Sequence, residues 1–97
     1  MTENERIEIA EKIQQRRLQM LVHSYIYYEL NDNIVSDEKW MQWAHELADL
    51  QREHPEIAKT VKYSRTFEGW DGSTGFHLAF DEWTRNKAQY LMSIHGK

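Results

Sequence analysis

The segment His45-Glu46-Leu47-Ala48-Asp49 has the outline of a metal-binding sequence, with three potential ligands within five residues. The zinc-protease motif requires a second histidine at the last position of this pattern, where the chain has Asp49. Aspartate can bind zinc, but no third ligand lies at a spacing typical of zinc sites. The five histidines are scattered along the chain. The pattern therefore predicts an exposed polar stretch of a helix and no metal site.

Composition and charge limit the class of protein further. The 97 residues suit one domain, and the absence of cysteine excludes disulfides and thiolate metal sites. The formal net charge is −4 and Arg16-Arg17 is the one basic pair, which argues against nucleic-acid binding. The N-terminus does not read as a secretory signal, and no apolar run is long enough for a membrane span. We expect a single cytoplasmic domain over residues 1–97.

Two helices are predicted in the first half of the chain. The first runs from about Asn4 to Leu30 and ends at Asn31-Asp32-Asn33, since Asn and Asp favour turns. The second begins at Ser36, a good N-cap, and extends to about Glu53, because Pro55 disfavours a helical residue before it. The short polar turn between them predicts an antiparallel hairpin over residues 1–57. The expected apolar stripes are Leu18, Leu21, Tyr25 and Tyr28 on the first helix, and Trp40, Trp43, Leu47 and Leu50 on the second.

The second half, residues 58–97, is predicted as a possible short β-hairpin followed by a closing helix. Residues 55–58 favour a short helical turn, the alternation from Thr60 to Phe67 favours a strand, and residues 76–80 could pair with it. A third helix is expected from Asp81 to about His95, with Gly96 as its stop. The apolar face expected on this helix comprises Trp83, Tyr90, Leu91 and Ile94. The fold class is therefore mainly α, with a long helix hairpin and a C-terminal helix.

The run from His23 to Glu56 carries the most specific pattern. A tyrosine-rich helix end is followed by a short turn, a Ser-Asp helix start and a second helix that closes with His-Pro-Glu. This pattern resembles the N-terminal domain of NAD-dependent DNA ligases, which binds nicotinamide mononucleotide (NMN). The resemblance covers about the first 57 residues.

The resemblance implies a set of ligand-binding residues. In those ligases aromatic side chains stack on the pyridinium ring of NMN, and carboxylates contact its amide and ribose. Carried to this chain, Tyr27 and Tyr28 would come from the first helix, and Asp37 and Trp40 from the start of the second. Trp40 stands where the family usually has Tyr, and Met41 stands where it usually has a second Asp, which removes a carboxylate. The alternative is that the three aromatic residues pack the hairpin and that Asp37 only stabilises a helix start.

The nucleophile of the ligases has no counterpart in the matching fragment. Their Lys-x-Asp-Gly motif takes AMP from NAD, whereas this chain has Gly69-Trp70-Asp71-Gly72, and glycine cannot supply the amine. The fragment reads as a turn, because Asp-Gly is a loop signal. We therefore expect no catalytic residues and a protein that is not an enzyme.

Two functions remain open at this point, and the resemblance alone implies a third, a protein that competes with or docks onto a ligase or a replication protein. The segment Asp71–Leu78 is similar to small phage and prophage proteins of Gram-positive bacteria, which implies a stand-alone accessory protein. The first hypothesis is a non-catalytic interaction domain with an unknown bacterial protein partner and no cofactor, since Tyr and Trp are favoured at interfaces. The alternative is a module that binds NMN or NAD.

Overall fold

The computed structural model describes residues 1–32, 34–73 and 78–95. It contains four helices: α1 (Glu3–Tyr28), α2 (Asp37–Glu53), α3 (Pro55–Ala58) and α4 (Glu82–His95). Over these three ranges no β-strand is present, and none of the helices combines the length and the hydropathy of a membrane span. The prediction of a mainly helical fold is confirmed.

Both long helices of the hairpin begin at a side-chain cap. The Thr2 hydroxyl accepts a hydrogen bond from the backbone N–H of Glu5, and the Ser36 hydroxyl accepts one from Lys39. These bonds satisfy N–H groups that have no partner inside the helix. Helix α1 ends two residues before the predicted Leu30, and Asn31 then adopts a left-handed conformation (φ 53°).

Helices α1 and α2 lie antiparallel, because their contacts run in opposite order along the two segments. Lys12 bonds Glu46 near one end of the pair, and His23 packs on Trp43 nearer the turn. The predicted hairpin is thereby confirmed. Its core contains Leu21 and Leu47 as expected, and it also reaches Ile13, which is fully buried among the more polar early turns of α1.

The strand predicted from Thr60 to Phe67 is wrong. This segment is a series of turns, in which the N–H of Phe67 donates to the carbonyl of Tyr63 and the N–H of Trp70 donates to the carbonyl of Phe67. Two of its carbonyl groups, those of Val61 and Lys62, accept hydrogen bonds from the buried Arg17 side chain instead of from a neighbouring strand. Residues 76 and 77 of the second predicted strand lie outside the described residues, and its described part, 78–80, is irregular.

Helix α4 closes the fold against α1. The N–H and hydroxyl of Thr84 donate to Asp81 Oδ1 at 2.9 and 2.7 Å, so Asp81 caps the helix as predicted, whereas the predicted stop at Gly96 lies outside the described residues. Thr84 and Ala88 are fully buried on this helix, and Leu91, as expected, packs half-buried with Met92 against the cluster that Ala88 forms with Val22 and Ile26 of α1. Three residues of the expected apolar face are instead exposed: Trp83 (42%), Tyr90 (57%) and Ile94 (51%).

Candidate ligand-binding pocket

A pocket of about 230 Å³ lies where the end of α1 meets the start of α2. The four residues that the resemblance implies as ligand-binding, Tyr27, Tyr28, Asp37 and Trp40, all lie in its wall. We call this cavity the aromatic pocket. The lining residues are His23, Tyr27, Tyr28, Asp37, Trp40, Met41 and Ser73.

Helix α1 contributes two consecutive tyrosines to the aromatic pocket. The rings of Tyr27 and Tyr28 meet edge to face, with centroids 4.9 Å apart and planes at 78°. Tyr27 is 51% exposed, so about half of its surface is not used by the core. Packing alone therefore does not account for Tyr27, and its ring is accessible to a ligand.

Helix α2 contributes Asp37 and Trp40 from its first turn, three residues apart on one face. Trp40 is half-buried against the main core, which fixes its position, while the Asp37 carboxylate is exposed. Because the Ser36 hydroxyl already caps Lys39, the helix start does not require Asp37 as a cap. Met41 follows and is 50% exposed, which places a thioether in the position that the resemblance assigns to a second carboxylate.

The sequence analysis missed two residues of the aromatic pocket. His23 lies one turn before Tyr27 on α1 and contacts the Trp43 ring at a centroid distance of 5.3 Å. Its i, i+4 spacing to Tyr27 is a signal that could have indicated it. Ser73 carries no such signal, because only the folding of a distant loop brings it to the pocket.

The loop that delivers Ser73 approaches α2 at Gly72. This glycine has φ 85°, and a Cβ atom added there would lie 3.0 Å from the carbonyl oxygen of Ala44. Glycine is therefore favoured by the left-handed backbone, and a Cβ atom at this position would push the Ala44 carbonyl back by a few tenths of an ångström. The N–H of Ser73 donates to Asp71 Oδ1 at 2.9 Å, and hydrogen bonding by Ser73 lowers the pKa of Asp71. The segment 69–72 is thus a turn, as predicted.

The tyrosine pair also borders a second, more open cavity of about 460 Å³. Asn31 and Asp32 from the inter-helix turn complete its wall. The two rings therefore separate two spaces at the same end of the hairpin.

The His45–Asp49 pattern has a different role from metal binding. His45 and Asp49 are exposed, while the Glu46 carboxylate binds Lys12 Nζ at 3.3 Å and Arg16 Nε at 3.1 Å. Burial tends to raise the pKa of Glu46, but the hydrogen bonds from Arg16 and Lys12 outweigh it and hold the pKa below its ordinary value. Glu46 thus links the two helices of the hairpin. Among the residues that the structure describes, no group of three His, Asp or Glu side chains could hold a metal ion.

Known proteins match the same part of the chain. The family model described as "DNA ligase-like, N-terminal NAD+-binding domain" matches residues 6–61, which is more than half of the sequence. A DNA ligase of Bacteroides fragilis is 48% identical over 48 residues, or 50% of this chain. DNA ligases of Thermotoga petrophila and Pseudothermotoga lettingae are 34% and 36% identical over 50 residues, or 52% of this chain.

The matches cover only a small part of each related ligase. The matched regions span 7% of the length of each of these three ligases, and no solved structure matches the chain significantly. Six of the seven described residues that line the aromatic pocket lie within the matched residues 6–61, with Ser73 outside. The chain belongs to the family of DNA ligase-like, N-terminal NAD+-binding domains.

Proposed function

We propose that this chain is a non-catalytic module that binds the nicotinamide mononucleotide part of NAD in the aromatic pocket. The observation that carries the proposal is the convergence of Tyr27, Tyr28, Asp37 and Trp40 on one open space. A pyridinium ring is a flat cation, and aromatic faces attract such a cation. A nearby carboxylate adds complementary charge and a hydrogen-bond acceptor for ribose hydroxyls.

The dimensions of the pocket support a partial ligand. Its volume of about 230 Å³ is below the ~300 Å³ at which ordinary small-molecule pockets begin. A single ring with its sugar suits this space better than a whole dinucleotide. We therefore expect weak binding, with the remainder of NAD outside the pocket.

A titration followed by NMR tests the proposal. Addition of NMN to millimolar concentration should shift the amide resonances around Tyr27 and Trp40 and should raise the melting temperature, because ligand binding stabilises the native state. The Tyr27→Ala variant should lose both responses. The control is Tyr90→Ala, which removes an equally exposed tyrosine from α4 and should leave them unchanged. The proposal fails if millimolar NMN shifts no resonance near the pocket.

A second variant tests the position of Met41. Replacement by Asp places a carboxylate at the wall of the pocket, one turn after Asp37. The added charge should strengthen NMN binding by about two- to fivefold, the range expected for an exposed ion pair. Unchanged or weaker binding by Met41→Asp would show that the pocket does not hold the ring next to this position.

A second candidate function is protein binding through α4, and the exposed Trp83, Tyr90 and Ile94 favour it. They are spaced at i, i+7 and i+11, which forms one stripe suited to an amphipathic helix of a partner. The three side chains offer far less than the roughly 800 Å² per partner of a stable dimer, which favours a transient partner over a second copy. Such a partner would be a bacterial cytoplasmic protein, and the phage or prophage association stays a prediction.

The stripe on α4 can be tested with a partner first identified by cross-linking and then purified. The triple variant Trp83→Ala, Tyr90→Ala and Ile94→Ala should abolish binding in a two-component assay. The control Glu82→Ala, Gln89→Ala and Ser93→Ala changes exposed polar positions of the same helix. Equal binding by both variants would exclude α4 as the interface.

A further inference from the structure

We infer that the stripe on α4 binds an acidic amphipathic helix, one that places a carboxylate against Lys87. The inference rests on the second candidate function and deepens it by stating the chemistry of the partner. It is independent of ligand binding in the aromatic pocket.

Lys87 lies inside the exposed apolar stripe of α4. With Trp83, Tyr90 and Ile94 it completes the spacing 83, 87, 90 and 94, in which steps of four and three residues alternate. This alternation is the seam along which two helices pack against each other. All four side chains are exposed, and at 1.5 Å per residue the stripe extends over about 16 Å, or three turns of a partner helix.

The fold does not use this surface. The buried positions of α4 are on its other side, where Thr84 and Ala88 are fully buried and Ala88 lies in a cluster with Val22 and Ile26 of α1. The start of the helix is held separately by the Asp81 cap. The large side chains of the stripe are therefore available to a partner without any change in how α4 packs.

The Lys87 ammonium lies on the stripe itself. It is 5.4 Å from the centre of the Tyr90 ring, in a cation–π contact, and none of the ion pairs among the described residues includes it. An apolar partner that covers Trp83 and Tyr90 therefore also removes water from a charge, which is unfavourable unless an opposite charge takes the place of that water. A carboxylate on the partner meets this requirement.

The neighbouring positions of α4 do not supply that carboxylate. Asn86 and Ser93 flank the stripe, and Glu82, the one acidic residue of α4, lies about 100° around the helix from Trp83. A second copy of the chain would bring the same stripe, with Lys87 and without a carboxylate, against this one. The stripe is thus apolar and positive, and its complement is apolar and negative.

A displayed library of three-heptad helical peptides tests the inference, with the purified full chain as bait at physiological salt. The core positions of the library carry Leu, Ile or Phe, and the flanking positions carry Glu, Gln or Lys in equal proportion. Peptides that bind the parent chain, and not the triple variant Trp83→Ala, Tyr90→Ala and Ile94→Ala, should be enriched at least about threefold in Glu over Lys. Because the net charge of −4 favours basic peptides at long range, an acidic preference can arise only at the stripe.

Two matched lysine variants locate the source of the preference. For the most enriched peptide, Lys87→Glu should weaken binding at least about fivefold in fluorescence anisotropy, because attraction becomes repulsion. The control is Lys62→Glu, an equal change of net charge at an exposed lysine that also lies over a tyrosine ring, 5.3 Å from the centre of Tyr63. It should change the affinity less than about twofold, since distant charges are screened. Equal weakening by both variants would overturn the inference, and thermal melting verifies that both remain folded.

The remaining outcomes separate the inference from the candidate function. Enrichment of Lys or Gln at the flanking positions would overturn the inference and leave α4 as an interface. If no peptide depends on the stripe for binding, the second candidate function itself is refuted. Self-association in sedimentation velocity, or binding to vesicles of phosphatidylcholine with phosphatidylglycerol, would also overturn the inference if the triple variant abolishes it, because the stripe would then serve a second copy or a lipid surface.

Discussion

Helix α1 carries two contrasting regions, one with a buried arginine that bonds to the protein interior and one with a tyrosine that is exposed at a pocket. Near its middle, Arg17 is 2% exposed, and its guanidinium donates to Gln51 Oε1 at 2.8 Å and to three backbone carbonyl groups. At its end, Tyr27 is half-exposed in the aromatic pocket. We call the first region the Arg17 cluster; its carbonyl acceptors are Ala58, Val61 and Lys62, at 3.0–3.1 Å.

The two regions differ in whether their side chains find their partners inside the protein. Burial lowers the pKa of Arg17 to about 10, so the side chain remains charged at neutral pH and needs polar partners in the interior. The chain supplies them, and the Phe67 ring lies 5.8 Å from the guanidinium carbon. The Arg17 cluster thus uses its bonding capacity to fix the turns after α3, whereas the aromatic pocket keeps an accessible surface.

The largest expected effect on stability separates the Arg17 cluster from the partly buried ion pair of the adjacent Arg16 with Glu46. Arg17→Met keeps much of the volume but leaves the carbonyl acceptors without a donor, and each unpaired buried group costs about 1–3 kcal/mol. We expect a loss of about 3–5 kcal/mol in the free energy of unfolding, measured by chemical denaturation. The adjacent Arg16→Met breaks a partly exposed ion pair and should cost about 1 kcal/mol or less. Equal costs for the two variants would contradict a special role for Arg17.

A smaller effect is expected where the loop approaches the aromatic pocket. Gly72→Ala combines a left-handed backbone with a contact of 3.0 Å to Ala44, and we expect a cost of about 2–3 kcal/mol. Gly69→Ala is the control, since Gly69 has φ 71° but nothing within 4 Å of an added Cβ, and it should cost about 1 kcal/mol. Thermal unfolding compares them. If Gly69→Ala is the more damaging variant, the loop does not pack on α2 as described.

Replacement of the N-cap of α4 by Asp81→Asn should lower the free energy of unfolding by less than about 1 kcal/mol at neutral pH. Burial tends to raise the pKa of Asp81, but the hydrogen bonds from Tyr63 and Thr84 outweigh it, so the pKa is lowered in the folded state. The resulting stability is present above the unfolded pKa of about 3.9 and is lost as the pH falls through the folded value. Asn remains a good cap, so Asp81→Asn should cost little at pH 7 and should flatten the acid dependence of stability. Denaturation curves between pH 7 and about pH 2 measure this, and parallel profiles would exclude the linkage.

The smallest effect on stability is expected in the aromatic pocket. Tyr27→Ala should change the free energy of unfolding by about 0.5 kcal/mol or less, because half of the ring is already in water. The same variant should lose NMN binding. A large destabilisation would place Tyr27 with the Arg17 cluster as a structural residue and would remove the contrast between the two regions.

Local sequence signals were sufficient for the helix hairpin and for most of the described residues that line the aromatic pocket. Ser36 and Pro55 determine where α2 begins and ends through interactions within a few residues. The predicted and observed ends of α2 therefore agree closely. Tyr27, Tyr28, Asp37 and Trp40 converge because they flank one short turn between two helices. Contacts that are near in sequence can be inferred from periodicity and capping alone.

The tertiary structure decided the burial of Arg17, the turns after α3 and the exposed face of α4. The sequence shows Arg16 and Arg17 as one basic pair, yet the second is enclosed because residues 58–62 fold back onto α1 and present their carbonyl groups. The same contacts replace the predicted strand by turns, and the burial of Thr84 and Ala88 leaves Trp83, Tyr90 and Ile94 of α4 in solvent. These outcomes depend on partners separated by tens of residues, and single-segment patterns carry no information on where such partners come together.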